Sequence, residues 1–279
     1  MHGVFQTQKR DHMMRPQSFP SPDCILCPAG GQAQGDKSHL DAAVTASDGC
    51  GHVMGGCRHR DLNACYIKRH NEAVALIAQA IAGGKKGRWL LVTDLNKETL
   101  VGIAAQVGHE VHNRIPKEKL PAVPEADRIR LRPDILFLEG AEDGHGTGTS
   151  SPPRKKGKFK KKAYIIEVGY GRDCAAADKR AEKEAQHKIL AGHLKGAGWE
   201  VVTTTVVLGH CGSVYLEDMK KMEELGVERK PTEKLFKDLH SNAIRYTCSA
   251  ARLYQQLRAE RNRELGQRWT NGRRRAKPP

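Results

Sequence analysis

Two stretches decide the fold: residues 129–140, IRLRPDILFLEG, and residues 162–170, KAYIIEVGY. Each holds an apolar run of strand length, rich in β-branched and aromatic residues, and each carries an acid, Asp134 at the start of ILFL and Glu167 after YII. Working outward, RWLLVTDL (88–95) is a third short apolar run and WEVVTTTVVLG (199–209) a fourth, β-branched one. Ahead of them, NEAVALIAQAIAGG (71–84) repeats Val74, Ile77 and Ile81 at helical spacing, with Asn71 as its N-cap and Gly83–Gly84 as its end. Residues 97–107 read as a helix, 108–127 as a polar connection punctuated by prolines, and 175–195 as one long helix. The order helix, strand, strand, strand, helix, strand implies an α/β core with a mixed central sheet.

The flanks differ in character. Residues 1–22 are polar and read as an extended lead-in, and 23–70 hold a cluster of cysteines and histidines. The core is expected over 71–215. A helical, basic extension follows over 216–279, with Leu235, Leu239, Ile244, Ala250, Leu253 and Leu257 marking an apolar face. The chain of 279 residues carries 47 Lys plus Arg against 32 Asp plus Glu, a net charge of +15, which points to a polyanionic partner. Seven of the cations, Arg154, Lys155, Lys156, Lys158, Lys160, Lys161 and Lys162, form a run with no acid among them, suited to phosphates. No apolar stretch approaches the roughly 20 residues that span a bilayer, so no membrane partner is expected.

Eight cysteines without secretory features argue for metal or free thiols rather than a disulfide scaffold. Cys24-x₂-Cys27 places two thiolates on one turn, a start for tetrahedral zinc, and a loop this poor in apolar residues needs such a staple. Cys65, Cys174, Cys211 and Cys248 are scattered and read as small buried or neutral thiols.

Asp134 and Glu167 carry the chemistry. On paired strands both carboxylates reach one edge of the sheet, where like charges repel unless a cation joins them. Mg²⁺ (or Mn²⁺) suits oxygen ligands and keeps waters for a substrate. Removing either acid is therefore expected to leave metal-free stability level or raised. Lys179, Lys183 and His187 stand at i, i+4 and i+8 on one helix face, with Gln186 beside them.

Taken in order, CILC (24–27), HVMGGC (52–57), KRHNEAVALIA (68–78), HNRIP (112–116), LRPDILFLEG (131–140), AYIIEVGYGRD (163–173), EKEAQHKIL (182–190) and VVLGHCGSVY (206–215) resemble a known arrangement. It is that of the PD-(D/E)xK, restriction-endonuclease-like superfamily, and more narrowly the carboxyl-terminal region of site-specific non-LTR retrotransposon polyproteins, where a CCHC zinc knuckle precedes the endonuclease. The resemblance implies that His52-x₄-Cys57 completes the zinc set of Cys24 and Cys27, with His39, Cys50, His59 and His70 as alternatives. It implies Mg²⁺ on Asp134, Glu167 and the main-chain carbonyl of Val168, with Arg132 near the phosphate and Tyr170 and Asp173 in support. The superfamily's strand lysine is replaced here by Gly169; the retrotransposon branch resembles this chain in moving the cation to the next helix, which makes Lys183 the substitute and Lys179 the fallback.

The implied activity is nicking of a DNA target in the nucleus, so that target-primed reverse transcription can begin. Element RNA would be reached through the rest of a longer polyprotein, and no small-molecule cofactor is involved. Two other readings stand beside this one: a cellular repair or junction-resolving nuclease of the same fold, and a nucleic-acid-binding module with an inactive nuclease fold.

Overall fold

The computed structural model describes Cys24, Leu26, Cys27, Pro124, Asp127 and residues 51–84, 89–108, 111–115, 131–140 and 161–275, with side chains to 266. The chain divides into two compact units, one of residues 70–243 and one of residues 1–69 with 244–279. The elements in chain order are a π-helical turn (His52–Gly56), α1 (Arg60–Gly84), β1 (Trp89–Thr93), α2 (Lys97–Val107), β2 (Val111–His112), β3 (Ile135–Glu139), β4 (Lys162–Gly171), α3 (Ala176–Gln186), α4 (Lys188–Gly196), β5 (Glu200–Gly209), α5 (Leu216–Glu224) and α6 (Arg229–Arg275).

The unit of residues 70–243 is mixed α/β, with an open five-stranded sheet in the order β2-β1-β3-β4-β5 flanked by helices. β1 pairs antiparallel with β3 and β3 antiparallel with β4; the outer pairs β1–β2 and β4–β5 are parallel. Successive side chains of a strand face opposite ways, so one apolar run supplies two cores. Leu91, Ile135, Phe137, Ile166, Val168, Val206 and Leu208 meet Val74, Ile77 and Ile81 of α1 and Leu235, Phe236 and Leu239 of α6. Leu90, Val92, Leu136, Leu138, Ala163 and Ile165 meet Leu190 and Leu194 of α4 and Trp199. All four residues of Ile135–Leu138 are fully buried. Burial of each such side chain stabilises the fold by about 1.5–3 kcal/mol, so β3 is the hub of the unit.

Several local readings change. β3 begins at Ile135, leaving Arg132, Pro133 and Asp134 just outside the ladder, as befits a proline that has no N–H to donate. α1 starts at Arg60, eleven residues before Asn71, which is therefore inside the helix and not its N-cap. The connection after α2 contains β2, two residues alongside β1.

The expected long helix is broken at His187 (φ −111°, ψ 20°) into α3 and α4. α3 carries no apolar side chain larger than alanine and buries none of its residues, whereas α4 buries Leu190 and Leu194; the break lets each helix present a different side to the sheet. Gly198 (φ 82°) then turns the chain into β5, a conformation that glycine takes without strain. At the end of α1, a Cβ on Gly84 would meet the Gly226 carbonyl at 2.9 Å, so the glycine permits a close backbone approach.

In the other unit, Cys24, Val53, Cys57, Leu62, Ala250 and Tyr254 form a small core. Arg69 is buried and donates to Thr247 Oγ1 at 3.1 Å, and the Tyr66 hydroxyl donates to the Val53 carbonyl. Along α6, Leu235, Leu239 and Ala250 are buried as expected, but Ile244 is exposed. Cys174, Cys211 and Cys248 are exposed free thiols, and Cys65 is a half-buried one. Among the described residues no helix is long and apolar enough to cross a membrane.

Candidate functional site

Asp134 and Glu167 come together because Ile135 pairs with Ile166, which sets the residue before β3 beside the residue after Ile166 on β4. The Asp134 amide donates to Glu167 Oε1 at 3.0 Å, and the Val168 amide donates to Asp134 Oδ2 at 2.8 Å. In a strand the N–H and C=O of one residue point to the same side, so the Val168 carbonyl also lies on the Asp134 side.

Three further side chains close on the pair. Lys183 Nζ is 3.0 Å from Glu167 Oε2 and 3.9 Å from Asp134 Oδ2. His187 Nε2 is 2.8 Å from Glu167 Oε1, and His70 Nε2 is 3.0 Å from Asp134 Oδ1. A cation from within the chain, the Lys183 ammonium, thus stands beside both carboxylates. Glu167 is 2% exposed, and Asp134 and Lys183 about 15%, so these charges interact with little water between them. Burial pushes the Asp134 carboxyl up, but His70, Lys183 and the Val168 amide outweigh it and hold the group below its ordinary range. Burial would lower the Lys183 ammonium, yet Asp134 and Glu167 hold it above its ordinary value.

α3 places Lys183 through a buried anchor one turn earlier. Arg180 grips the fully buried Asp218 of α5 (Nη2 to Oδ2 2.6 Å, Nε to Oδ1 3.3 Å). Gly169 completes the fit. A Cβ there would stand 3.2 Å from Lys179 Cγ and 3.6 Å from Lys183 Cγ, so the lysine stems cover the place where a strand side chain would be. A cleft of about 330 Å³ opens at the pair, lined by Arg132, Asp134, Glu167, Lys183, Gln186 and His187 among others.

The remaining candidates separate. Arg132 is exposed at the cleft, 3.4 Å from Asp94. Lys179 directs its ammonium to Glu182 at 2.7 Å, away from the carboxylates. The Tyr170 hydroxyl donates to Asn242 Oδ1 at 3.1 Å, and Asp173 accepts the amides of Cys211 and Ser213 at 3.1 and 3.2 Å. Both therefore hold structure rather than line the cleft. Of the basic run, Lys161 and Lys162 are described, Lys162 against Glu200 at 3.5 Å; Arg154, Lys155, Lys156, Lys158 and Lys160 lie outside the described residues.

The residue that sequence reasoning missed is His70, weighed only as an alternative zinc ligand. A signal was present: His70 precedes Val74, Ile77 and Ile81 by four, seven and eleven residues and so continues their stripe.

The other unit gathers Cys24, Cys27, His52 and Cys57, whose ligand atoms all lie within 4.8 Å of one another. Cys24 Sγ to Cys57 Sγ is 4.0 Å, Cys27 Sγ to Cys57 Sγ 3.8 Å and Cys27 Sγ to His52 Nε2 3.4 Å. Sulfur and nitrogen ligands of a tetrahedral Zn²⁺ stand about 3.5–3.8 Å apart, so this cluster could hold a metal such as zinc. The alternatives are elsewhere or undescribed: His70 is on Asp134, His59 Nδ1 accepts the Asp61 amide at 3.4 Å, and His39 and Cys50 lie outside the described residues. Compared with models of known families and with curated proteins, the chain finds no match in either.

Proposed function

We propose that the chain is a metal-dependent DNA endonuclease with a PD-(D/E)xK-type core, similar to the nicking enzyme of site-specific non-LTR retrotransposons. The observation that carries this reading is the convergence of Asp134, Glu167 and Lys183 at the edge of the sheet, beside an open cleft. Acids on adjacent strands with one cation between them match what phosphodiester hydrolysis requires: oxygen ligands for a divalent ion and a positive group for the phosphate.

The donor set fits Mg²⁺ or Mn²⁺. Each ionised carboxylate offers about four lone-pair sites. The hydrogen bonds described leave a direction open on both oxygens of Asp134 and on Glu167 Oε2, and the Val168 carbonyl lies on the same side. Bound there, the ion supplies a Lewis acid and lowers the pKa of water. Lys183 would meet the charge that the non-bridging oxygens of the scissile phosphate gain, and Arg132 would meet a phosphate at the mouth of the cleft. His187 fixes Glu167 Oε1 and thereby the orientation of that carboxylate. In this reading the zinc cluster staples its own unit, the partners are target DNA and element RNA, and the chain works in the nucleus.

Gly169 favours one rival, a nucleic-acid-binding module with an inactive nuclease fold. Nicking of supercoiled plasmid in Mg²⁺ separates the two. The wild-type chain should nick, and Asp134→Ala and Glu167→Ala should each abolish nicking. A wild-type chain that binds DNA without nicking it in Mg²⁺ or Mn²⁺ supports the binding module, and near-normal nicking by either variant refutes the site.

A further inference from the structure

We infer that His70 is a positioning residue for the metal-binding carboxylate of Asp134, acting through the hydrogen bond between its Nε2 and Asp134 Oδ1. The inference rests on the metal reading of the carboxylate pair given above. Asp134 is clamped at both oxygens, Oδ1 by His70 at 3.0 Å and Oδ2 by the Val168 amide at 2.8 Å, and two such contacts fix the plane of a carboxylate. The main-chain contact comes with the strand pairing; the imidazole must be delivered from outside the sheet. α1 delivers it rigidly, because one turn later Ala73 and Val74, and then Ile77 and Ile81, are essentially fully buried in the core. The His70 side chain is 31% exposed, so it is not itself needed to fill that core. Without it, nothing else described contacts Oδ1, and Asp134 could turn toward Lys183, 3.9 Å from Oδ2. Outer-shell partners of this kind set metal affinity, and their loss costs about 10–100-fold in affinity or activity.

The test is a calorimetric titration of Mn²⁺ into the zinc-loaded full chain, with DNA affinity measured separately in buffer without Mg²⁺ or Mn²⁺. His70→Ala should weaken Mn²⁺ binding about 10–100-fold and leave DNA affinity within about twofold, while His70→Gln, which keeps an N–H donor at similar reach, should stay close to wild type. Asp134→Asn serves as the reference for loss of the ligand. If Asp134→Asn loses Mn²⁺ while His70→Ala binds it like wild type, the positioning role is refuted and the metal reading stands. Gln as weak as Ala refutes the hydrogen-bond role. If the wild-type chain takes up no Mn²⁺ beyond its zinc, the metal reading fails and this inference falls with it.

Discussion

Replacing Lys183 by alanine would remove the one ammonium among the described residues that lies within 4 Å of both Asp134 and Glu167. At 3.0 Å from Glu167 and 3.9 Å from Asp134, the gross attractions are about 5.5 and about 4 kcal/mol at an effective dielectric constant of ~20. Desolvation of three charges cancels much of that, and the measurable quantity is the cost of leaving buried charge without its partner, about 3–5 kcal/mol. An exposed lysine would cost about 0–1 kcal/mol, so urea denaturation in buffer without Mg²⁺ or Mn²⁺ separates the two cases. Added Mg²⁺ should recover much of the lost stability of Lys183→Ala, because the ion takes up the same negative charge. The nicking rate should fall about 100–1,000-fold, the usual effect of losing one group that stabilises transition-state charge, with DNA affinity nearly unchanged. Lys183→Arg should rescue stability better than rate, since a guanidinium keeps the charge but not the compact shape of the ammonium. Lys179→Ala should alter the rate only a few-fold, its ammonium being committed to Glu182. A stability loss below about 1 kcal/mol for Lys183→Ala, or normal nicking by that variant, refutes the reasoning.

Three other outcomes are expected. Elemental analysis of protein purified without added metal should find about one zinc per chain, as a single four-ligand site requires, and Cys24→Ser or Cys57→Ser should reduce it; unchanged content in both variants overturns the assignment. The Asp134 carboxyl is held below its ordinary range, so its stabilisation is present above the unfolded value of about 3.9 and is lost as pH falls through the lowered folded value. Asp134→Asn should therefore lower stability at neutral pH and flatten its decline in acid; an unchanged or raised urea midpoint at pH 7 would restore the simple repulsion argument drawn from sequence. Neutralising the seven cations of Arg154–Lys162 should weaken DNA binding about equally on all sequences and reduce the salt slope by roughly 0.9 for each phosphate that is no longer neutralised; an unchanged slope shows a merely solvated loop.

What could be read from sequence was whatever leaves a local pattern. β3 and β4 were legible as apolar runs, and Asp134 and Glu167 because an acid beside or within such a run is conspicuous. Leu190 and Leu194 lie on a readable stripe, yet the break between α3 and α4 was not legible, since His187 is neither glycine nor proline and the break serves tertiary placement. β2 has two residues and exists only by pairing with β1. The first eleven residues of α1 carry little apolar periodicity, and their buried members, Leu62 and Arg69, pack with partners far away in the chain. The helix start was hidden for that reason, although the spacing of His70 to Val74, Ile77 and Ile81 was readable.

Gly169 shows how a local departure from a motif can be compensated. A strand lysine there would have to occupy the space in which the Lys179 and Lys183 stems now lie, the nearer stem atom being 3.2 Å from the position of its Cβ. One cation can be served from the strand or from the helix above it, but the two stems compete for the same floor. The glycine thus spares the Lys179 stem a 3.2 Å contact and leaves Lys183, 3.6 Å away, at ordinary van der Waals distance, so that α3 lies close over β4. The buried Arg180–Asp218 pair, one turn before Lys183, is part of the same solution, because it holds α3 at the height from which the ammonium reaches both acids.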